Sequence, residues 1–218
     1  MDKNMVDYSK AITGLELLTK AAVYGIILGI MFAISFIILL LSARSVMPLL
    51  VWLIAAAIFS IYPTRLTWLG FKTLYEALGT TYYRYAEFFL KAALIATLAV
   101  VVGFSMAILH GSEALKALQA SRFTITLISW ITGVLIAVFW YKVLSAMSED
   151  FGVDMFKAAA ISSLVGALLG FVELASAVLS LVALILYLMG LNKANDVIQD
   201  ILSRGEVGSS EPRGRFAD

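Results

Sequence analysis

The chain has no cysteine, one histidine and only three prolines among its 218 residues. Without cysteine there is no disulfide, no thiolate nucleophile and no cysteine-based metal site. A single histidine, His110, cannot build the usual multi-histidine metal centre. Charge is scarce as well. Asp, Glu, Lys and Arg make up 14% of the chain, against roughly 25% in soluble proteins. The net charge of +1 creates no field that would draw in nucleic acid, so no such partner is expected. The sequence also lacks a phosphate-binding glycine loop, a zinc-helix motif and a serine nucleophile elbow. No cofactor, no metal and no enzymatic activity are expected.

What fills the chain instead is apolar. Hydrophobic residues make up 61%, and the mean hydropathy is +0.95. Soluble chains run nearer 45–50% apolar. The composition implies an all-α, polytopic membrane protein with the lipid bilayer as its first partner. Met1–Lys20 mixes Asp2, Asp7 and Glu16 with its lysines, and the following apolar run is too long for a secretory signal.

A membrane helix needs about 20 mostly apolar residues. Four such runs lie at about 21–41, 46–62, 88–109 and 123–144, with Pro63 expected to end or kink the second. The last run, 156–190, has 35 residues. As one helix it would be about 53 Å long, more than the 40–45 Å of a whole bilayer. It is therefore expected to fold back near Gly170–Glu173, giving a fifth and a sixth span of about 16–17 residues each.

Lysine and arginine placement sets the orientation. Six spans put 13 of these residues on one side and three on the other (Arg44, Lys116 and Arg122). Five spans would weaken the split to nine against seven. The bias supports the final hairpin and places both termini in the cytoplasm of a prokaryotic cell. Trp68, Trp140 and the Tyr82–Phe89 cluster then fall at cytoplasmic span ends, as interfacial aromatics do.

"KAA" begins at Lys20, Lys91 and Lys157, each time opening an odd-numbered span. A lysine there can snorkel to the headgroups. Phe71-Lys72-Thr73-Leu74 and Tyr141-Lys142-Val143-Leu144 match at an offset of 70 residues, and each begins an amphipathic stretch. Phe71, Leu74, Leu78, Tyr82 and Tyr85 keep one helical stripe; Tyr8, Ile12 and Leu15 give a shorter one, and Leu191, Ala194 and Ile198 a last one. The expected unit is an amphipathic cytoplasmic connecting helix followed by a membrane hairpin. It is used three times in parallel, over about 1–70, 71–140 and 141–190. These form a single membrane domain, 1–202, and a polar Gly/Ser/Pro tail, 203–218, is expected to be disordered.

Small residues recur at four-residue spacing in the odd spans, at Gly25 and Gly29, at Gly103, and at Gly166 and Gly170. Such faces let helix backbones approach closely, so these glycines are expected to pack the odd spans together. Glu173 is the one ionisable residue within the apolar runs that stands as an ion- or proton-site candidate; at the hairpin's outer turn it is an interfacial residue. Glu87 and Lys91, spaced i, i+4, are expected to pair at a helix start. Glu149, Asp150 and Asp154 form a small acidic patch without a calcium-loop pattern, expected to be solvated. Hydroxyls at Thr124, Thr126, Ser129 and Thr132 and at Ser162 and Ser163 have two readings, a polar path or bonds to backbone carbonyls.

The segment from Tyr141 to Leu191 carries an aromatic-x-x-Leu start, a Gly152-x-x-x-Phe156 step, then Gly166-Ala-Leu-Leu169 and a terminal apolar hairpin. In these features it resembles a prokaryotic, largely archaeal family of uncharacterised membrane proteins known only as a domain of unknown function. "FKTLYEALG" is similar to that family's middle segment, so the likeness covers about residues 65–190. It implies a compact multi-span protein and no site residues. The expected role is a non-enzymatic membrane-embedded binding, accessory or scaffold protein, with a membrane protein partner or a second copy of itself. The alternative is a small transporter or channel.

Overall fold

The computed structural model describes residues 7–42, 47–110, 122–170 and 172–204, and the tail beyond Arg204 lies outside them. Those residues form six helices and no strand. They are α1 (Tyr8–Ser42), α2 (Met47–Leu78), α3 (Thr81–His110), α4 (Arg122–Phe151), α5 (Asp154–Leu168) and α6 (Glu173–Ser203). The chain is all-α.

Among the described residues three helices are long and apolar enough to cross a membrane, over Tyr8–Ser35, Trp130–Phe151 and Ala175–Ser203. The protein is therefore membrane-associated. Six such helices were expected. Helix α5 has 15 residues, about 22 Å, short of a hydrocarbon core about 30 Å thick. The side chains of the apolar stretches expected of α2 and α3 lie in part outside the described residues.

The amphipathic stretches are not separate connecting helices. Tyr8–Lys20 runs straight into the apolar part of α1, and Leu191–Ser203 continues α6 without a break. Pro63 does not end α2. Proline deletes one N–H and crowds the preceding turn, but membrane helices tolerate it where hydroxyls serve nearby backbone groups. Here Ser60, Thr64 and Thr67 donate to the carbonyls of Ala57, Ser60 and Pro63 at 2.7, 2.7 and 2.9 Å. The expected stripe from Phe71 to Tyr85 is cut at Gly79. Its φ of 71° lies in the left-handed region, where only glycine is free of strain. Gly152, with φ 64°, makes the equivalent turn between α4 and α5.

All six helices converge at one end. The buried side chains include Ala11, Leu15 and Leu18 of α1, Phe71, Leu74 and Ala77 of α2, Tyr83, Ala86 and Leu90 of α3, Val143, Met147 and Phe151 of α4, Phe156 and Ala159 of α5, and Leu191, Ala194 and Ile198 of α6. Each set recurs at three- to four-residue spacing, so each helix turns one stripe inward. The buried stripes lie in the N-terminal part of α1, α3 and α5 and in the C-terminal part of α2, α4 and α6. The helices therefore alternate in direction. Phe71 anchors the centre, with ring centroids 6.0 Å from Tyr83 and 5.6 Å from Trp140. Phe89 stacks on Phe139 at 4.8 Å and joins α3 to α4.

Each helix packs on its chain neighbours, and α6 returns to α1, so the order of contacts closes into a ring. Among the described residues no pair of α1, α3 and α5 shares a substantial contact, so the expected central meeting of odd spans is absent. Asp7 ties the first helix down. Its carboxylate accepts from Lys10 N–H at 3.0 Å, capping α1, and its own N–H donates to Ala77 O at 3.2 Å at the end of α2.

Away from the shared core the helices are apolar and uncovered. Ile34 and Ile38 of α1, Ile95 and Val102 of α3, Leu135 of α4 and Leu181 of α6 are all more than half exposed. Patches of this extent require a lipid or protein covering.

Candidate functional site

The glycines marked by spacing divide. A methyl group placed on Gly25 or Gly29 would meet nothing within 4 Å. Among the described residues neither glycine packs against a neighbouring helix, contrary to the expectation for both. Gly166 is buried, and a methyl there would lie 3.2 Å from Leu179 Cβ, between α5 and α6. Gly170 lies in the α5–α6 turn, where a methyl would come within 2.9 Å of the Trp130 ring. The surroundings of Gly103 and the side chains of Glu173 and His110 lie outside the described residues. Glu173 is the first residue of α6, so the chain does fold back in the stretch expected from length.

The tightest helix crossing involves glycines that spacing did not mark. A methyl on Gly70 would sit 2.7 Å from Leu18 Cγ and 3.1 Å from Gly14 O. A methyl on Gly14 would sit 2.9 Å from Leu74 Cγ and 3.1 Å from Gly70 O. The two backbones touch reciprocally where α1 crosses α2. The available signal was the placement of Gly14 on the Ala11–Leu15–Leu18 stripe.

At the α2–α3 junction Lys91 Nζ donates to Glu87 Oε1 at 2.6 Å. The ammonium also lies 4.9 Å from the centroid of Trp68 and 5.5 Å from that of Phe88. Trp68 Nε1 points at the same carboxylate oxygen at 3.4 Å. Burial pushes the Glu87 carboxyl up, but the hydrogen bonds from Lys91 and Trp68 and the charges of Lys91 and Lys72 outweigh it and hold it below its ordinary value. The expected i, i+4 pair is present, and Trp68 serves it as well as the interface. The arrangement locks two helices together and leaves no group poised for proton transfer.

Asp150 departs from the solvated patch expected of it. It is 5% exposed, while Glu149 and Asp154 face out. Thr80 Oγ1 donates to Asp150 Oδ2 at 2.6 Å and so joins the turn after α2 to the end of α4. Among the described residues no group of three acidic or histidine side chains could hold a metal.

A second polar locus lies on the ring's closing seam. Glu16, Thr19 and Lys20 of α1 face Asn192 and Asn195 of α6 across a cleft of about 160 Å³. Glu16 Oε2 and Lys20 Nζ are 3.8 Å apart, an ion pair longer than a hydrogen bond. Thr19 Oγ1 is occupied with Leu15 O at 2.9 Å. Asn195 Oδ1 is buried and has no hydrogen-bond partner. Sequence reasoning missed this locus because its two halves lie more than 170 residues apart.

Two hydroxyls within the apolar stretches turn back on their own helices. Ser35 donates to Met31 O at 2.7 Å and Thr97 to Ala93 O at 2.9 Å. No family model, no curated protein and no solved structure matches the chain, so its function is argued from its own residues.

Proposed function

We propose that the chain is a multi-pass protein of a prokaryotic cytoplasmic membrane, with both termini in the cytoplasm, acting as a non-enzymatic binding, accessory or scaffold protein. The observation that carries this reading is the division of the molecule. One end is a packed, largely apolar helical core, and the rest is helix whose apolar side chains face outward. A protein built to position partners needs a rigid base and a broad membrane surface. It needs no water-lined path, and the hydroxyls at Ser35 and Thr97 are spent on backbone carbonyls.

In this reading all six helices enter the bilayer from the core side. Helices α1, α4 and α6 cross by length and composition, and the apolar halves of α2 and α3 run beside them. The α5–α6 hairpin rises about 22 Å along α5, enough to carry its turn close to the far interface of a ~30 Å core. The lysine and arginine bias puts the core end in the cytoplasm. The closed ring of helices favours the second reading, a small transporter or channel, because a ring can enclose a path.

Single cysteines separate the two readings, and the chain offers a background with no native cysteine. Ala137 and Ala183 are buried within the apolar helices α4 and α6. In sealed vesicles, Ala137→Cys and Ala183→Cys should stay unreactive toward a membrane-impermeant thiol reagent until the protein is denatured. Reaction in the folded state would favour transport. Ser209→Cys should react only after permeabilisation of whole cells, and reaction from outside would overturn the topology.

A further inference from the structure

We propose that the cleft between α1 and α6 holds the head of a membrane lipid that carries both a phosphate and a primary ammonium. The proposal rests on the reading that α1 and α6 cross the bilayer.

Size comes first. At about 160 Å³ the cleft is several times the ~30 Å³ share of one water molecule and well below the 300–1,000 Å³ of a typical small-molecule pocket. It suits a compact polar group entering from an open side.

Chemistry comes second. The cleft presents one carboxylate, one ammonium and two carboxamides, from Glu16, Lys20, Asn192 and Asn195. At 3.8 Å, with roughly half of each side chain exposed, Glu16 and Lys20 attract each other without forming a hydrogen bond. Each keeps its capacity for a ligand: Lys20 for phosphate oxygens, Glu16 for an ammonium. Asn195 lines the cleft, with its Oδ1 buried behind it. A primary ammonium brings three N–H donors that the Glu16 carboxylate can accept. A quaternary ammonium brings none.

Position comes third and selects a lipid over a soluble ion. Lys20 immediately precedes the apolar part of α1, and Asn192 immediately follows that of α6. Val23 and Ile27 follow Lys20 at i+3 and i+7, on the same helix face, and both are exposed. Met189 and Ile185 precede Asn192 by the same intervals and are exposed as well. The seam is polar at its foot and apolar above it, which matches a headgroup with its acyl chains.

The test uses the full-length chain, stripped of lipid in detergent and followed by native mass spectrometry. Dioleoyl phosphatidylethanolamine, phosphatidylcholine and phosphatidylglycerol are titrated separately. We expect the ethanolamine lipid to bind at least tenfold more tightly than the other two. Glu16→Gln and Lys20→Gln lie on an exposed ion pair and should leave thermal stability unchanged while abolishing that preference. Equal binding of the ethanolamine and choline lipids, or an intact preference in both variants, would overturn the proposal. Free phosphoethanolamine should compete only at concentrations at least a hundredfold higher than the lipid, and competition at equal concentration would reject a lipid occupant. Failure here leaves the Ser209→Cys topology standing, whereas reaction of Ser209→Cys from outside would count against the membrane reading on which the proposal rests.

Discussion

Replacing Gly70 with alanine tests where the fold's closest backbone contact lies. Alanine in a helix is favoured over glycine by about 0.8–1.0 kcal/mol, so an uncrowded site should gain stability. At Gly70 the new methyl would lie 2.7 Å from Leu18 Cγ and Cδ2 and 3.1 Å from Gly14 O. Leu18 is 1% exposed, so its side chain has no space to retreat into, and Gly14 O is backbone. Overpacking of this kind costs about 1–3 kcal/mol. The net effect is a loss of up to about 2 kcal/mol once the propensity gain is subtracted. Gly25→Ala meets nothing within 4 Å and keeps only the gain. The two variants should therefore differ by about 1–3 kcal/mol, with Gly70→Ala the less stable. Thermal unfolding in one detergent, followed by circular dichroism, ranks them. A double-mutant cycle sharpens the test. Leu18→Ala alone should cost about 2–5 kcal/mol, but in that background Gly70→Ala should lose most of its penalty, since its clash partner is gone. If Gly70→Ala proves as benign as Gly25→Ala, or the cycle is additive, the assigned crossing is wrong.

Glu87→Gln should destabilise the protein by about 1–3 kcal/mol at neutral pH, because Lys91 and Trp68 lose a charged acceptor that is largely buried. The folded state holds this carboxyl below its ordinary value, so its stabilisation is complete above the unfolded pKa and is lost as pH falls through the lower folded one. The gap in melting temperature between wild type and variant should accordingly close on acidification below about pH 4, and a pH-independent gap would contradict the pairing. Gly79→Ala should cost about 1–2 kcal/mol although a methyl there meets open space, because φ is 71°; Gly79→Asn should cost less, and melting curves that fail to separate them would point away from backbone strain.

Much of the molecule was legible from local pattern. Hydropathy assigns an all-α, membrane-associated chain, since long continuous apolar runs satisfy their backbone in lipid as helices, whereas the strands of a barrel would alternate. Length alone placed the last turn near Gly170, and α5 does end at Leu168. Spacing alone paired Glu87 with Lys91. Leu15, Phe71, Leu74 and Ile198 stood on expected stripes and are buried, but Tyr82 and Tyr85, expected on the Phe71 stripe, are exposed and α3 buries Tyr83 instead. Where local pattern failed, the missing information was register between helices. The four-residue run through Gly25 and Gly29 resembles a packing face, yet α1 turns it outward, and the real crossing uses Gly14 and Gly70. Proline chemistry argued for an end or a kink at Pro63, and the helix does not end there, with hydroxyls in the adjoining turns bonded to backbone carbonyls.

The sequence by itself determined class, membrane character and the buried stripes of α1, α2 and α6, because these depend on composition and on a period of 3.6 residues within a single segment. Tertiary structure alone decided that six stripes meet at one end, that Thr80 reaches a buried Asp150, and that Lys20 lies across a cleft from Asn195. Those outcomes depend on how helices far apart in the chain settle against one another. A helical period says which face is buried, but only packing says what that face meets.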